Sequence, residues 1–401
     1  MSKTQTNALP MKIVEELTKG LDITDSMFKE AEKKYYAVAK YLGESTNPLL
    51  QGADIYLQGS MKLGTVVKPH KKDEFDIDLV ILLPNVNSSH NSDMIHKIIG
   101  DRLKEDKSPY KDICESKNRC WTINYKSEFH LDITPAISNA FVEAEVFHYT
   151  DTAELVPDKK LKEWKDSNPK GLAKWFSDIA KLMPIFVLKR FVSFDSALSV
   201  KAINESYTVE DIPDNNEFKG LLRRTIQLLK KHRDYYFIER KEAPEEYKPI
   251  SILITTLATK SYEKIVFDRV EYNCPFKMMK DIVGQMNLFI KKEDGFKVAN
   301  PTNEKENFAE KWNDDIEYAK AFGQWQKAAF EELDELQKQS GIDTIGRVLE
   351  KSYGKDSSNR VIESFNKEVK DGRDIGKIAT GILTASEATV TVKENKFFGV
   401  H

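Results

Sequence analysis

Two rhythms of polar and apolar positions run along this chain, and one gives way to the other near residue 160. The first mixes helix and strand. Met27, Ala31, Tyr35, Val38, Ala39 and Leu42 recur at helical spacing, which predicts a helix over residues 25–43, capped by Asp25 and stopped by Gly43. Short strands are expected at 55–57, 65–67 and 75–83. The last is apolar without a break from Leu79 to Leu83, as a strand covered on both faces requires, and Pro84, Asn85 and Asn87 end it. A helix over 92–104 then precedes strands at 120–125 and 128–137, joined by a tight turn at Lys126 and Ser127, with another strand at 143–148.

Beyond residue 160 the period becomes that of helices. Pro169 opens one with Leu172, Trp175, Phe176 and Ile179 inward, capped by Asn168 or Ser167. Further helices are expected at 218–238, from Pro249 onward, at 275–291 and at 304–339. The polar stretch 356–387 is weakly patterned and reads as partly loop, and no internal repeat or low-complexity tract is present. The pattern therefore predicts an α+β protein: a mixed sheet flanked by helices over residues 1–165, then a helical lobe over 166–401.

With 401 residues the chain can build two such lobes, and 61 basic against 64 acidic side chains leave no global field for a polyanion. An obligatory grip on long nucleic acid is therefore not expected. No apolar run approaches the roughly 20 residues that span a bilayer, and the opening MSKTQTNALP reads as a loose terminus without a secretion signal. Cys114, Cys120 and Cys274 match no zinc signature, and their odd count suits free thiols in a reducing compartment. A cytoplasmic protein without a membrane segment is the expectation.

Against this background the segment LQGSMKLGTVVKPHKKDEFDIDLVILL stands out. Asp76 and Asp78 occupy positions i and i+2 of one strand, so both carboxylates leave the same face, while Ile77 points into the core. Two like charges side by side are costly unless a cation neutralises them, and paired Mg²⁺ ions favour this kind of oxygen donor. The plain alternative, a solvated strand end, sits badly with the five apolar residues that follow. Asp132 interrupts a second apolar run, FHLDITPAI, where it needs either a buried basic partner or a share in the same metal site. Gly59 and Ser60 lie just upstream; glycine lets the backbone approach a phosphate, and the hydroxyl can bind its oxygens. One phosphate-binding turn and three carboxylates on two strands are the parts a nucleotidyltransferase needs.

Gly59-Ser60, Asp76-x-Asp78 and Asp132, in that order, resemble the signature of the DNA polymerase β-like nucleotidyltransferase superfamily. Together with SNPKGLAKWF, LLRRTIQLLKKHRDYYF and KPISILITTLA, they resemble the bacterial cGAS/DncV-like nucleotidyltransferases (CD-NTases) over residues 25–260. The resemblance implies a polymerase β-like lobe, a helical lobe and an active site in the cleft between them. It implies that Asp76, Asp78 and Asp132 are catalytic and hold two Mg²⁺ ions, with Mn²⁺ as a substitute. It places Gln58, Gly59, Ser60, Lys230 and Ser251 on the nucleotide, although Lys231 neighbours Lys230 and the basic run could equally be a solvated helix face. Leu63 is either a pocket wall or a core residue.

The implied activity is joining of NTPs, ATP and/or GTP, with release of pyrophosphate, to give a cyclic di- or trinucleotide second messenger for an effector of anti-phage (CBASS) defence. Two other readings remain open: a transferase adding nucleotides to RNA or another acceptor, and an inactive nucleotide-binding or interaction protein. Some family members carry tails that an E1/E2-like partner attaches to targets. Here ENKFFGVH ends in His401 rather than a small residue, and packing of Phe397 and Phe398 on the helical lobe is the alternative.

Overall fold

Strand order explains where the polar interruptions end up. The computed structural model describes residues 8–68, 75–125, 129–139, 142–186, 200–204, 207–210, 220–339 and 341–374. The Lys126–Ser127 turn and the tail with Phe397, Phe398 and His401 lie outside them. Helices α1 (Ala8–Lys19) and α2 (Asp25–Gly43) lead into strand β1 (Asp54–Gln58), a short helix α3 (Gly59–Leu63) and β2 (Phe75–Leu82). Then come α4 (Ser92–Leu103), β3 (Cys114–Ser116), β4 (Trp121–Tyr125), β5 (Phe129–Ser138), β6 (Glu154–Asp158) and β7 (Glu163–Ser167). Helix α5 (Pro169–Ala180) and β8 (Ile185–Phe186) are followed by β9 (Val200–Asn204) and β10 (Tyr207–Glu210).

The main sheet runs β3-β4-β5-β2-β1-β10-β9, with β6 and β7 continuing from β5. It is mixed: β2 lies parallel to β5, antiparallel to β1, and β1 is parallel to β10. Both faces of the centre are covered. Ile77, Leu79, Ile81, Leu131 and Ile133 pack with residues of α2 and α4 on one side, while Tyr56, Val80, Ala136 and Val156 form a small cluster on the other. The even-numbered positions of β2 thus change from aspartate to aliphatic along its length. The apolar end is buried and the acidic end opens toward the helices.

Helices α6 (Leu221–Asp234), α7 (Ser251–Phe267), α8 (Pro275–Gln285), α9 (Glu310–Asp314), α10 (Glu317–Lys338), α11 (Ile342–Tyr353) and α12 (Lys355–Asp374) make up most of the remaining chain. Their core contains Trp325, Phe322, Tyr262 and Leu229, and Ile13, Val14 and Leu17 of α1 join it. The predicted mixed sheet and mostly helical remainder are both present, but β9 and β10, beyond residue 166, complete the sheet beside β1, and α1 packs with the helices.

Several local expectations are corrected. Thr24, not Asp25, caps α2, its side chain accepting from the Met27 amide. Residues 65–67 are not a strand. Side chains of α6 take their carbonyls instead: Lys230 bonds to Thr65 O and Gln227 to Val66 O. The strand expected at 143–148 is replaced by a loop and a 3₁₀ turn (Phe147–Thr152), with β6 and β7 after it. The helix predicted over 304–339 is broken into a strand (Asn303–Asn307), α9 and α10. The stretch read as partly loop begins as α12, which buries Val361 and Phe365. Among the described residues no helix is long and apolar enough to cross a membrane, and Cys114, Cys120 and Cys274 are free thiols.

Candidate active site

Register brings the carboxylates together. Asp78 stands directly opposite Asp132 across the parallel β2–β5 pair, and Asp76 stands opposite His130. Neighbouring strands lie about 4.8 Å apart, so two aspartates in one row necessarily sense each other. The same row continues to Gln58 on β1 and to Thr122 on β4. A slip of one residue in β5 would send Asp132 into the core, so the apolar set Leu131, Ile133 and Ile137 also fixes the acidic cluster.

The electrostatic consequence is concentrated on Asp78. Burial, then the charges of Asp132 and Asp76, push its carboxyl up to about 7, against an opposing pull from Lys230. Asp76 is exposed, and Asp132 accepts a hydrogen bond from Thr122 Oγ1. Among the described residues no three His, Cys, Asp or Glu side chains already close on a metal position. What the row does bring near one another is carboxylate oxygens, the donor type that hard divalent ions favour.

Gly59 is the hinge between β1 and this row. Its φ of +64° is left-handed, and a Cβ on it would lie 2.1 Å from Asp78 Oδ2. Glycine is required twice over, by conformation and by space. Helix α3 then carries Ser60 and ends at Gly64, also left-handed with φ +65°.

A cleft of about 360 Å³ opens beside the row, walled by Ser60, Thr65, Val66 and Asp76 from the sheet side. Lys230, Lys231, Arg233, Tyr235 and Ser251 wall it from the helical side. Gln58, Gly59, Asp78 and Asp132 are not among its lining residues, so Asp76 links cleft and row. Gln58 instead donates from Nε2 to Thr134 Oγ1 at 3.4 Å along the sheet. Leu63 is buried in the helical-lobe core rather than on the cleft wall.

Lys230 is only 4% exposed, and its ammonium donates to Thr65 Oγ1 at 3.0 Å and Thr65 O at 3.2 Å. Burial and then Arg233 push it down to about 7, while Asp234 and Asp78 oppose the shift. Lys231 also lines the cleft, and its charged neighbours are Asp234, Glu239, Asp356 and Arg360. Of the two lysines, Lys230 is the one tied to Thr65, whose own amide donates to Ser60 O.

Ser251 begins α7, and its hydroxyl accepts from Arg233 at 3.0 Å. Arg233 also donates to Pro249 O and to Asp234 Oδ1. Sequence reasoning grouped this arginine with a basic helix face. The signal that distinguishes it is the i, i+3 spacing from Lys230, which puts both cations on one side of α6. Thr122 was missed as well, because a strand threonine carries no chemical signature until its cross-strand partner is known.

Comparison with known proteins agrees with this architecture. The Second Messenger Oligonucleotide or Dinucleotide Synthetase domain matches residues 11–179. A c-di-GMP synthase of Roseivirga ehrenbergii is 30% identical over 390 residues, 96% of this chain and 95% of that protein. A cyclic dinucleotide synthase, CdnG, of Bradyrhizobium diazoefficiens is 25% identical over 247 residues, 55% of this chain and 52% of its own length. The solved structure of the Bradyrhizobium diazoefficiens CD-NTase CdnG in complex with GTP shares the fold at TM-score 0.63 and 17% identity, covering 88% of this chain and 98% of that one. A relative matched almost end to end, a second messenger synthetase domain and a shared two-lobe fold leave one assignment: the chain belongs to the cGAS/DncV-like nucleotidyltransferases, the CD-NTases.

Proposed function

We propose that this protein joins two nucleoside triphosphates, GTP foremost, into a cyclic dinucleotide that serves as a second messenger in anti-phage defence. The observation that carries the reading is the placement of Asp78 opposite Asp132, beside a cleft holding a buried lysine. The preference for guanine and for a two-membered product rests on the near-full-length relative, named as a c-di-GMP synthase.

In this reading Asp76, Asp78 and Asp132 hold two Mg²⁺ ions, for which Mn²⁺ can substitute. When bound there, such ions would supply Lewis acidity for an attacking hydroxyl and offset charge on the α-phosphate and leaving pyrophosphate. The chain's own residues do the positioning. Gly59 brings the turn against Asp78, so that Ser60 can meet phosphate oxygens without a side chain intervening. Lys230 lies across the cleft from Ser60 and supplies a compact cation; an arriving triphosphate restores the charge that burial disfavours. Ser251, oriented by Arg233, offers its hydroxyl at the start of a 17-residue helix, where anions are stabilised. A linear intermediate turns round in the same cleft, its free hydroxyl attacks the second α-phosphate, and a second pyrophosphate leaves as the ring closes. The product then acts on a cytoplasmic effector that it activates.

The test is incubation of the pure protein with each NTP and with the mixture, with Mg²⁺, followed by mass spectrometry of phosphatase-resistant products. A cyclic dinucleotide from GTP is expected from the wild type, and nothing from a folded Asp76→Ala/Asp78→Ala variant. Elongated linear chains, or turnover by that variant, would overturn the reading.

A further inference from the structure

We infer that Thr122 is a positioning residue for the reaction, holding Asp132 toward Asp78 against the repulsion between them. The inference rests on the metal-dependent reading above and concerns a residue that does not itself touch substrate.

Thr122 and Asp132 are cross-strand partners in the antiparallel β4–β5 pair. The hydroxyl donates from Oγ1 to Asp132 Oδ1; Thr122 is buried, so the donor is shielded from water, while Asp132 is half-buried. A β-branched residue in a strand has little freedom at χ1, so the direction of that donor is set by the backbone of β4. That backbone is in turn fixed by the buried Trp121 and Ile123 on its other face.

Asp132 needs such a restraint. The charge of Asp78 drives it away from the geometry in which the two carboxylates share a ligand, and a carboxylate turns easily about its own side-chain bonds. A donor on the far side from β2 resolves the conflict. It occupies one lone pair of Oδ1 and leaves Oδ2 and the remaining Oδ1 lone pair directed at the row. Hydrogen bonds to a charged acceptor are among the stronger ones, and partners that orient metal-binding carboxylates commonly contribute 10- to 100-fold in affinity or rate. The Cys120 thiol, two residues earlier, also interacts with both Thr122 and Asp132.

The test compares Thr122→Val, which keeps the shape and removes the donor, with Thr122→Ser, which keeps the donor. Mn²⁺ binding is titrated by electron paramagnetic resonance in the presence of a non-hydrolysable GTP analogue, alongside kcat, the KM for GTP, and a melting curve. For Thr122→Val, Mn²⁺ affinity and kcat are expected to fall by about 10- to 100-fold. Its KM for GTP should stay within about twofold, because Lys230 and Ser251, on the helical wall of the cleft, are untouched by the change. Thr122→Ser should recover most of both losses. Wild-type Mn²⁺ affinity in a folded Thr122→Val, or equal defects in the Val and Ser variants, would overturn the inference. An Asp78→Ala control that still turns over would instead overturn the metal-dependent reading beneath it.

Discussion

Gly59 and Asp78 occupy what is, for any other residue pair, a single space: the carboxylate oxygen lies 2.1 Å from where a Cβ on position 59 would sit. The contact is also conformational, since Gly59 has φ +64°. Gly59→Ala therefore forces both a left-handed alanine, at about 1–2 kcal/mol, and displacement of Asp78. The expected outcome is a folded protein with a melting point several degrees lower and product formation reduced by at least about 100-fold. Circular dichroism melts and chromatography of the products check it; wild-type turnover would mean the carboxylate can move without consequence.

The raised carboxyl of Asp78 makes a stability prediction with a definite sign. Its folded value is about 7 against an ordinary 3.8. Between these values the folded state retains a proton that the unfolded state has released, so stability falls as pH rises through this window and stays lost above it. Asp78→Asn removes the term. In EDTA the variant should match the wild type below about pH 4 and exceed it at pH 8 by on the order of 2 kcal/mol, after allowance for solvent near the group. Urea unfolding at pH 4 and 8 measures this. The same variant should be inactive, so function and apo stability conflict at one atom.

Lys230 gives the complementary behaviour. Its folded value of about 7 lies below the ordinary 10.5, so its contribution to stability rises as pH climbs from 7 toward 10.5. A bound triphosphate favours the ammonium and pulls a proton in. Calorimetry of GTP binding in EDTA, in buffers of differing ionisation enthalpy, should show uptake approaching one proton at pH 8 and little at pH 6. Lys230→Met should abolish the uptake and weaken GTP by about tenfold or more. Unchanged uptake in that variant would assign the proton to another group.

The legible parts of this molecule were those in which a residue contradicts its neighbours. Asp78 and Asp132 are conspicuous because Ile77, Leu79, Leu131 and Ile133 around them are buried and apolar. Residues whose role depends on a distant partner carried no such contrast. Thr65 and Val66 look like a strand because they are β-branched, yet their carbonyls are taken by Lys230 and Gln227 from a helix more than 160 residues later. The charged run at 303–314 is rich in helix formers, but Asn303 donates to Ser167 O at the end of β7 and Asn307 to Phe296 O across a tight hairpin, and these bonds break the helix. Likewise α12 looked like polar loop because small serines, Ser357 and Ser358, supply part of its buried face.

Arg233 shows how such a partner-dependent residue governs the site. Its guanidinium reaches three groups at once: Pro249 O at 2.9 Å, Ser251 Oγ at 3.0 Å and Asp234 Oδ1 at 2.9 Å. These fix the turn into α7, and with it the direction of the Ser251 hydroxyl. A lysine has a point charge in place of the planar fork and cannot satisfy all three. Arg233→Lys is therefore expected to lower stability by about 2 kcal/mol and raise the KM for GTP by about tenfold. Ser251→Ala, which leaves the arginine's other bonds intact, should raise KM by a smaller factor and barely change the melting point. The double variant should show a KM no worse than Arg233→Lys alone, because the serine hydroxyl acts only when the arginine directs it. Additive effects in steady-state kinetics would show instead that the two residues contact the nucleotide independently.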